Sequence, residues 1–423
     1  MDVTVYREQR LHELELFLPA TQTTKSLLRN LKDKAHEAHA QLEAKALEQV
    51  EVSTVTPAAK KTRASNRGEI ESGTERDEMR ARAQEDEIHL SETHRRVYEW
   101  DAPLSLIENH RTPDQDAQKR DKDIFELLKK HGHMRRVARP DSDLVFDALA
   151  LLRERQPHFS AVVDLVRQHL RLAFAQGKPL HLPPILLLGE PGVGKTHLTK
   201  QLAAALQTPM RRHGFDSATT GSTLTGSERH WGNTSYGLMF ELLCLNEIIN
   251  PVVLLDEIDK ASGAPHRNPA APLHTLLEPV SAGQSTDLSV GLTFDASFVT
   301  WIATANDASC IPASLRSRFI EFLILPPLGQ HALQVARNIA TSVFEEMNLQ
   351  GIEPVPLSIT KLLAHLTARE QIQLLKRAYA SAFEKNRTCI ELNDFPNEIF
   401  SVDAEGDDDV DNDVDIGKSK ILH

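Results

Sequence analysis

Cysteine is scarce in this sequence: Cys244, Cys310 and Cys389 are the only three in 423 residues. Three well-separated cysteines cannot build a disulfide framework, and without a CxxC pair the usual zinc spacing is absent too. Buried thiols in a reducing cytoplasm are the expectation for all three. Aromatic residues are also few, at 5%, and hydrophobic residues reach only 40%. A globular chain usually has about 45–50%, so one part is expected to be normally folded and another thin in core residues. Long apolar runs are missing. Stretches such as ILLL at 185–188 and VVLL at 252–255 fall far short of the roughly 18 residues a membrane span requires. The opening MDVTVYREQR is charged where a secretion signal needs an apolar stretch. Secretion, a membrane partner and a membrane span are therefore not expected. The net charge of −12 opposes bulk attachment to nucleic acid, leaving only a local basic face as a route to it.

What is present changes character along the chain, and the length suits two or three domains. Residues 1–140 read as charged helices joined by polar linkers. Leu27, Leu28, Leu31, Ala35, Ala38, Leu42 and Ala46 keep one apolar face at helical spacing. Residues 50–78 have linker composition, rich in Ser, Thr, Lys and Glu. A second charged helix is expected over 79–100, anchored by Ile88, Leu90, Val97 and Trp100. This extension is either a partner-binding arm or a solvated appendage. Over 141–326, short apolar runs bounded by turn residues alternate with helical patterns, the signature of buried parallel strands in an α/β sheet. Residues 327–400 read as helical, with segments at 330–347 and 369–385. Residues 401–423 form an acidic low-complexity tail.

The sharpest local signal is the loop Gly189, Glu190, Pro191, Gly192, Val193, Gly194, Lys195, Thr196, set between a strand-like run and a helical one. Glycines let the backbone wrap closely and aim N–H groups at phosphate oxygens. The helix that follows offers its positive end to the same anion. Lys195 adds a cation for the β- and γ-phosphates, and the Thr196 hydroxyl is a hard oxygen donor for Mg²⁺. A second apolar run ends in Asp256 and Glu257. At the carboxyl edge of a sheet Asp256 can hold the Mg²⁺ shell, and Glu257 can reach a water attacking the γ-phosphate. A third run, 298–306, delivers Asn306 to the same edge. Its amide suits a water-orienting role, although asparagine is also a common turn former there. A nucleoside triphosphate with Mg²⁺ is the expected ligand.

In this order and spacing the motifs resemble the AAA+ ATPases, and more closely the ATPase module of Lon-type proteases. LLLGEPGVGKTHLTK, VVLLDEIDK, NPAAPLHTLLEP and FDASFVTWIATANDASCIPASLRSRFIEFLIL each look like the corresponding Lon segment. The resemblance covers a little over half the chain. It implies a phosphate-loop parallel sheet flanked by helices, then an α-helical lid; the N-terminal extension, helical and partly disordered by its composition, does not look like Lon's substrate-binding domain. Trp231 and Gly232 fall where the family carries its aromatic pore loop; a Trp packed in a core is the competing reading. Arg318 matches the arginine finger supplied to a neighbouring subunit, with Arg316 as the other candidate. Arg369 matches the lid arginine that faces nucleotide, although Thr367 replaces the glycine usual two residues earlier. A hexameric ring is implied as well. A Lon peptidase domain has no counterpart here, so cutting of the substrate by this polypeptide is not expected.

Three functions follow. The first is an ATP-driven ring that remodels or unfolds a protein. The second is a nucleic-acid-associated motor or defence-system ATPase using Lys60, Lys61, Arg63, Arg135, Arg136 and Arg139. The third is a nucleotide-gated scaffold in which hydrolysis serves as a timer.

Overall fold

Side chains on the central strands of an α/β sheet are covered from both faces, which is why such strands read as unbroken apolar runs rather than alternating ones. The computed structural model describes residues 67–108, 115–217, 220–228, 234–261 and 268–396. In chain order the strands are β1 (His94–Arg96), β2 (Met134–Arg136), β3 (Ile185–Gly189), β4 (Met210–Gly214), β5 (Val252–Asp256), β6 (Ser285–Thr286), β7 (Thr293–Phe294), β8 (Thr300–Ala305) and β9 (Ile320–Ile324). Five of them form one parallel sheet in the order β4-β5-β8-β3-β9. Every residue of β5 and β8 is buried. The expected class, a parallel sheet flanked by helices, is what forms. Helices Ser142–Arg155 and Ser160–Gln176 bury Val145, Leu149, Val162, Val166 and Leu170 against Ile185 and Leu187 on one side of β3. The chain divides into two compact units, Met1–Pro327 and Leu328–His423.

The segment before residue 140 departs from the sequence expectation. Helix Arg67–Leu90 runs through part of the expected linker and stops well before Trp100. Ile88, expected as an anchor, is 74% exposed, whereas Ala83 and Val97 are buried. After the helix the chain turns into β1, which pairs antiparallel with β2. Their sequences, HRR and MRR, carry no apolar signal; backbone pairing and what lies beyond it hold them. Val97, Tyr98, Leu104, Ile124, Phe125 and Leu128 join the same buried cluster as Leu186, Val253 and Trp301 of the sheet.

Arg135 supplies much of that attachment. The sequence places it in a basic patch open to nucleic acid, yet it is 2% exposed. Its guanidinium donates to the carbonyls of Leu243 (2.9 Å), His131 (3.1 Å), Gly132 (2.9 Å), Met134 (2.8 Å) and Cys244. These carbonyls include the ends of helices Gln115–His131 and Leu238–Cys244, where the helix dipole favours a cation. Arg135 is therefore a structural tie and unavailable to a phosphate backbone. Next to it, the Arg136 N–H donates to the Glu247 carbonyl at 2.9 Å, and the Asn250 side chain pairs with both backbone groups of Ala138 at 2.7 and 3.0 Å. The second basic cluster, Lys60, Lys61 and Arg63, lies outside the described residues, as do the helix expected over residues 27–46 and the acidic tail.

In the second unit, helices Gly329–Met347, Leu357–Leu363 and Ala368–Glu384 close around Val343, Ile359, Leu363, Leu375 and Tyr379. Thr367 caps the third helix in a reciprocal box with Glu370: the Thr367 N–H donates to the Glu370 carboxylate at 2.9 Å, and the Glu370 N–H to the Thr367 hydroxyl at 3.4 Å. A capping threonine starts a helix by satisfying its free N–H groups, so the family's glycine is not needed for Arg369 to stand in the first turn. Two of the three cysteines differ from the expectation of buried thiols. Cys244 is buried, Cys389 is intermediate and Cys310 is exposed. Among the described residues no helix is long and apolar enough to cross a membrane.

Candidate active site

The carboxyl ends of β3, β5 and β8 lie side by side, and each delivers part of the site. Gly189 ends β3 where a Cβ would lie 2.3 Å from the Ile324 carbonyl oxygen of β9, so glycine is required there for close strand packing. Gly192 and Gly194 take φ of +87° and +100°, a region other residues rarely adopt, and this turns the loop before helix Lys195–Ala205. Between them Val193 is buried, and its carbonyl lies 3.2 Å from His158 Nε2, which anchors the loop from outside.

Lys195 is buried, and its ammonium donates to the carbonyls of Gly189 (2.6 Å) and Glu190 (3.0 Å) and to Asn306 Oδ1 (2.9 Å). The lysine thus bridges the tips of β3 and β8. Burial pulls its pKa below the ordinary lysine value, and the negative charges of Asp259, Asp256 and Glu257 oppose that pull.

Asp256, at the tip of β5, is 6% exposed. Its Oδ1 accepts from the hydroxyls of Thr196 (3.1 Å) and Thr304 (2.6 Å), and its Oδ2 accepts from Arg212 Nε (2.7 Å). Desolvation would raise the carboxyl pKa, but the bonds from Thr304, Arg212 and Thr196 and the arginine charge outweigh it, so it falls below the ordinary aspartate value. The group is consequently an anion at neutral pH.

Glu257 follows in a left-handed conformation, φ 57° and ψ 49°, with its N–H donated to Thr304 Oγ1 at 3.0 Å. Such backbone costs a non-glycine residue on the order of 1–3 kcal/mol and needs support from its surroundings. Here the support is the β8 hydroxyl. Asn306 is exposed at the end of β8, and its N–H and that of Asp307 donate to Asp259 Oδ2 at 3.1 and 3.2 Å.

Thr304, Asp259 and Arg212 are therefore parts of the site that sequence reasoning missed. Thr304 was accessible through strand period: two residues before Asn306, it must share its face. Asp259 sits in the short turn Ile258–Lys260 after the acidic pair. Arg212 could not be found without the register that sets β4 beside β5.

The two finger candidates are separated by their partners. Arg316 is forked onto Glu321 of β9 at 2.8 and 2.7 Å, whereas Arg318 makes one bond, from Nη1 to Glu278 Oε2 at 2.9 Å. Trp231 and Gly232 lie outside the described residues. Arg369 belongs to the second unit.

The donor set fits a magnesium nucleotide. Among the described residues no group of three or more His, Cys, Asp or Glu side chains gathers to hold a metal alone. Mg²⁺ typically takes one or two protein oxygens and completes its shell with phosphate and water, which Thr196 and Asp256 allow.

Against known proteins, residues 185–327 match the model of the ATPase family associated with various cellular activities (AAA). Over those residues the chain resembles an AAA+ ATPase module. The Lon protease of Campylobacter concisus is 32% identical over 204 residues, which is 47% of this chain and 25% of that protein. The Lon protease of Aquifex aeolicus is 33% identical over 230 residues, 53% of this chain and 29% of that protein. That of Campylobacter jejuni is 27% identical over 320 residues, 72% of this chain and 38% of that protein. The chain thus spans between about a quarter and two fifths of the length of these relatives. Among solved structures, a point mutant of Thermotoga maritima RuvB is similar with a TM-score of 0.40 and 20% identity, covering 56% of this chain and 67% of that one.

Proposed function

We propose that the chain is a cytoplasmic, ring-forming ATPase that hydrolyses Mg·ATP between subunits and uses the cycle to remodel or unfold a protein. Residues 141–326 act as the ATPase domain, packed on the segment 67–140, and 327–400 as a helical lid before the tail 401–423. The observation that carries the reading is the convergence of Lys195, Thr196, Asp256, Glu257 and Asn306 at one sheet edge. In this reading Lys195 exchanges its carbonyl partners for the β- and γ-phosphates, while Asp256 and Thr196 hold the metal shell. The metal neutralises charge on the phosphate oxygens when bound. Glu257 accepts a proton from the attacking water, and Asn306, released by Lys195, orients that water. A loose phosphoryl transition state needs chiefly this positioning. Arg318 completes a neighbour's site, and a hexamer is the family's usual closure.

Remodelling of protein, rather than nucleic acid, is favoured because burial of Arg135 removes the centre of one basic cluster. Trp231 would grip unfolded chain by apolar contact, which tolerates many sequences. The test is ATP turnover with added partners. An unfolded polypeptide should stimulate hydrolysis severalfold and duplex DNA should not, and Trp231→Ala should abolish the stimulation while sparing basal turnover. Stimulation by DNA alone would overturn the reading, and a Trp231→Ala protein stimulated like the wild type would remove the pore role.

A further inference from the structure

We infer that Arg212 is a positioning residue that fixes and partly neutralises Asp256, loosening the site's hold on a divalent cation while strengthening its hold on free nucleotide phosphate. The inference rests on the proposed ATPase reading. Arg212 lies on β4, the edge strand beside β5, with its side chain 50% exposed and that of Asp256 9% exposed. The parallel register pairs Arg212 with Leu254 and Gly214 with Asp256. Side chains two apart on a strand share a face, so Arg212 must pass over position 214 to reach the carboxylate. Glycine leaves that path open: a Cβ at 214 would sit 3.4 Å from Arg212 Nη2 and 2.5 Å from Asp216 Oδ1. At the end of the path Nε donates to Oδ2, while both threonine hydroxyls occupy Oδ1.

The carboxylate is thus held by three donors, two neutral and one charged. The arginine also feels Asp216 and Glu257, so it balances an acidic corner rather than a single group. A fixed positive charge beside a cation site repels a divalent ion and attracts a tetra-anionic nucleotide, and the two effects have opposite signs. The half-exposed guanidinium is screened by solvent, which keeps both modest.

The test measures binding rather than turnover. Nucleotide affinity is read with a fluorescent ATP analogue in EDTA, and metal affinity with Mn²⁺ by electron paramagnetic resonance in saturating ADP. Arg212→Gln should weaken metal-free nucleotide binding about five- to tenfold and tighten Mn²⁺ about five- to tenfold. Arg212→Lys keeps the charge and should hold both affinities within about twofold of wild type. A merely structural role would weaken both together. Shifts of the same sign, no shift, or a lysine variant that behaves like glutamine would each overturn the inference. A wild-type protein that binds neither probe would instead defeat the ATPase reading itself.

Discussion

Replacing Arg318 with alanine is expected to leave ATP affinity within about twofold of wild type while lowering kcat roughly 10³–10⁵-fold, the range an arginine finger commands. The expectation follows from the different ties of the two arginines. Arg316 is engaged by a fork of two bonds with Glu321, a geometry that fixes both groups. Arg318 has one bond to Glu278, whose side chain is 50% exposed. A single contact to a half-exposed acid is of low net strength, so a phosphate with more charge competes readily for the guanidinium. Arg316→Ala should therefore cost far less in turnover. If the finger acts in trans, mixing Arg318→Ala with Lys195→Ala subunits should restore measurable hydrolysis, because some interfaces then combine an intact loop with an intact finger. Turnover by Arg318→Ala at the wild-type rate would remove the residue from the mechanism.

Glu257→Gln should bind ATP normally and lose turnover by at least about 10²–10⁴-fold, the contribution expected of a positioned general base. Glutamine preserves the shape of the left-handed turn and its N–H bond to Thr304 but cannot take a proton. The binding arm separates this result from misfolding, since a distorted β5 tip would release Asp256 as well and weaken nucleotide with it. Normal hydrolysis by Glu257→Gln would assign water activation elsewhere. The same variant, locked with ATP, should retain the gripped substrate in a pull-down, which makes it the means of identifying that substrate.

The parts of the protein legible in sequence are those where burial writes itself into composition. β5 and β8 are covered on both faces, so VVLLD and TWIATA announce strands, and the loop between β3 and its helix carries glycines that its φ values require. Helix Ser160–Gln176 was likewise readable from its apolar stripe and its terminal Gly177, which adopts the left-handed cap. Other features left no such trace. β1 and β2 are three residues each and mostly basic, and their pairing is fixed by contacts from distant segments. Arg135 reads as a surface charge because its partners are main-chain carbonyls, which the sequence does not distinguish. Arg212 is invisible for a related reason: its meaning depends on strand order, and no local pattern encodes which strand lies next to β5.

Whether Lys195, Thr196 and Asp256 clasp a magnesium triphosphate is read by calorimetric titration of the purified chain with ATP in the presence of Mg²⁺, beside Lys195→Ala. The wild type should bind saturably and in dependence on the triphosphate, and Lys195→Ala should lose that binding, since removal of the buried ammonium leaves the carbonyls of Gly189 and Glu190 facing the anion. A folded wild-type chain with no affinity for ATP, or equal affinity in the Lys195→Ala protein, would contradict that binding mode.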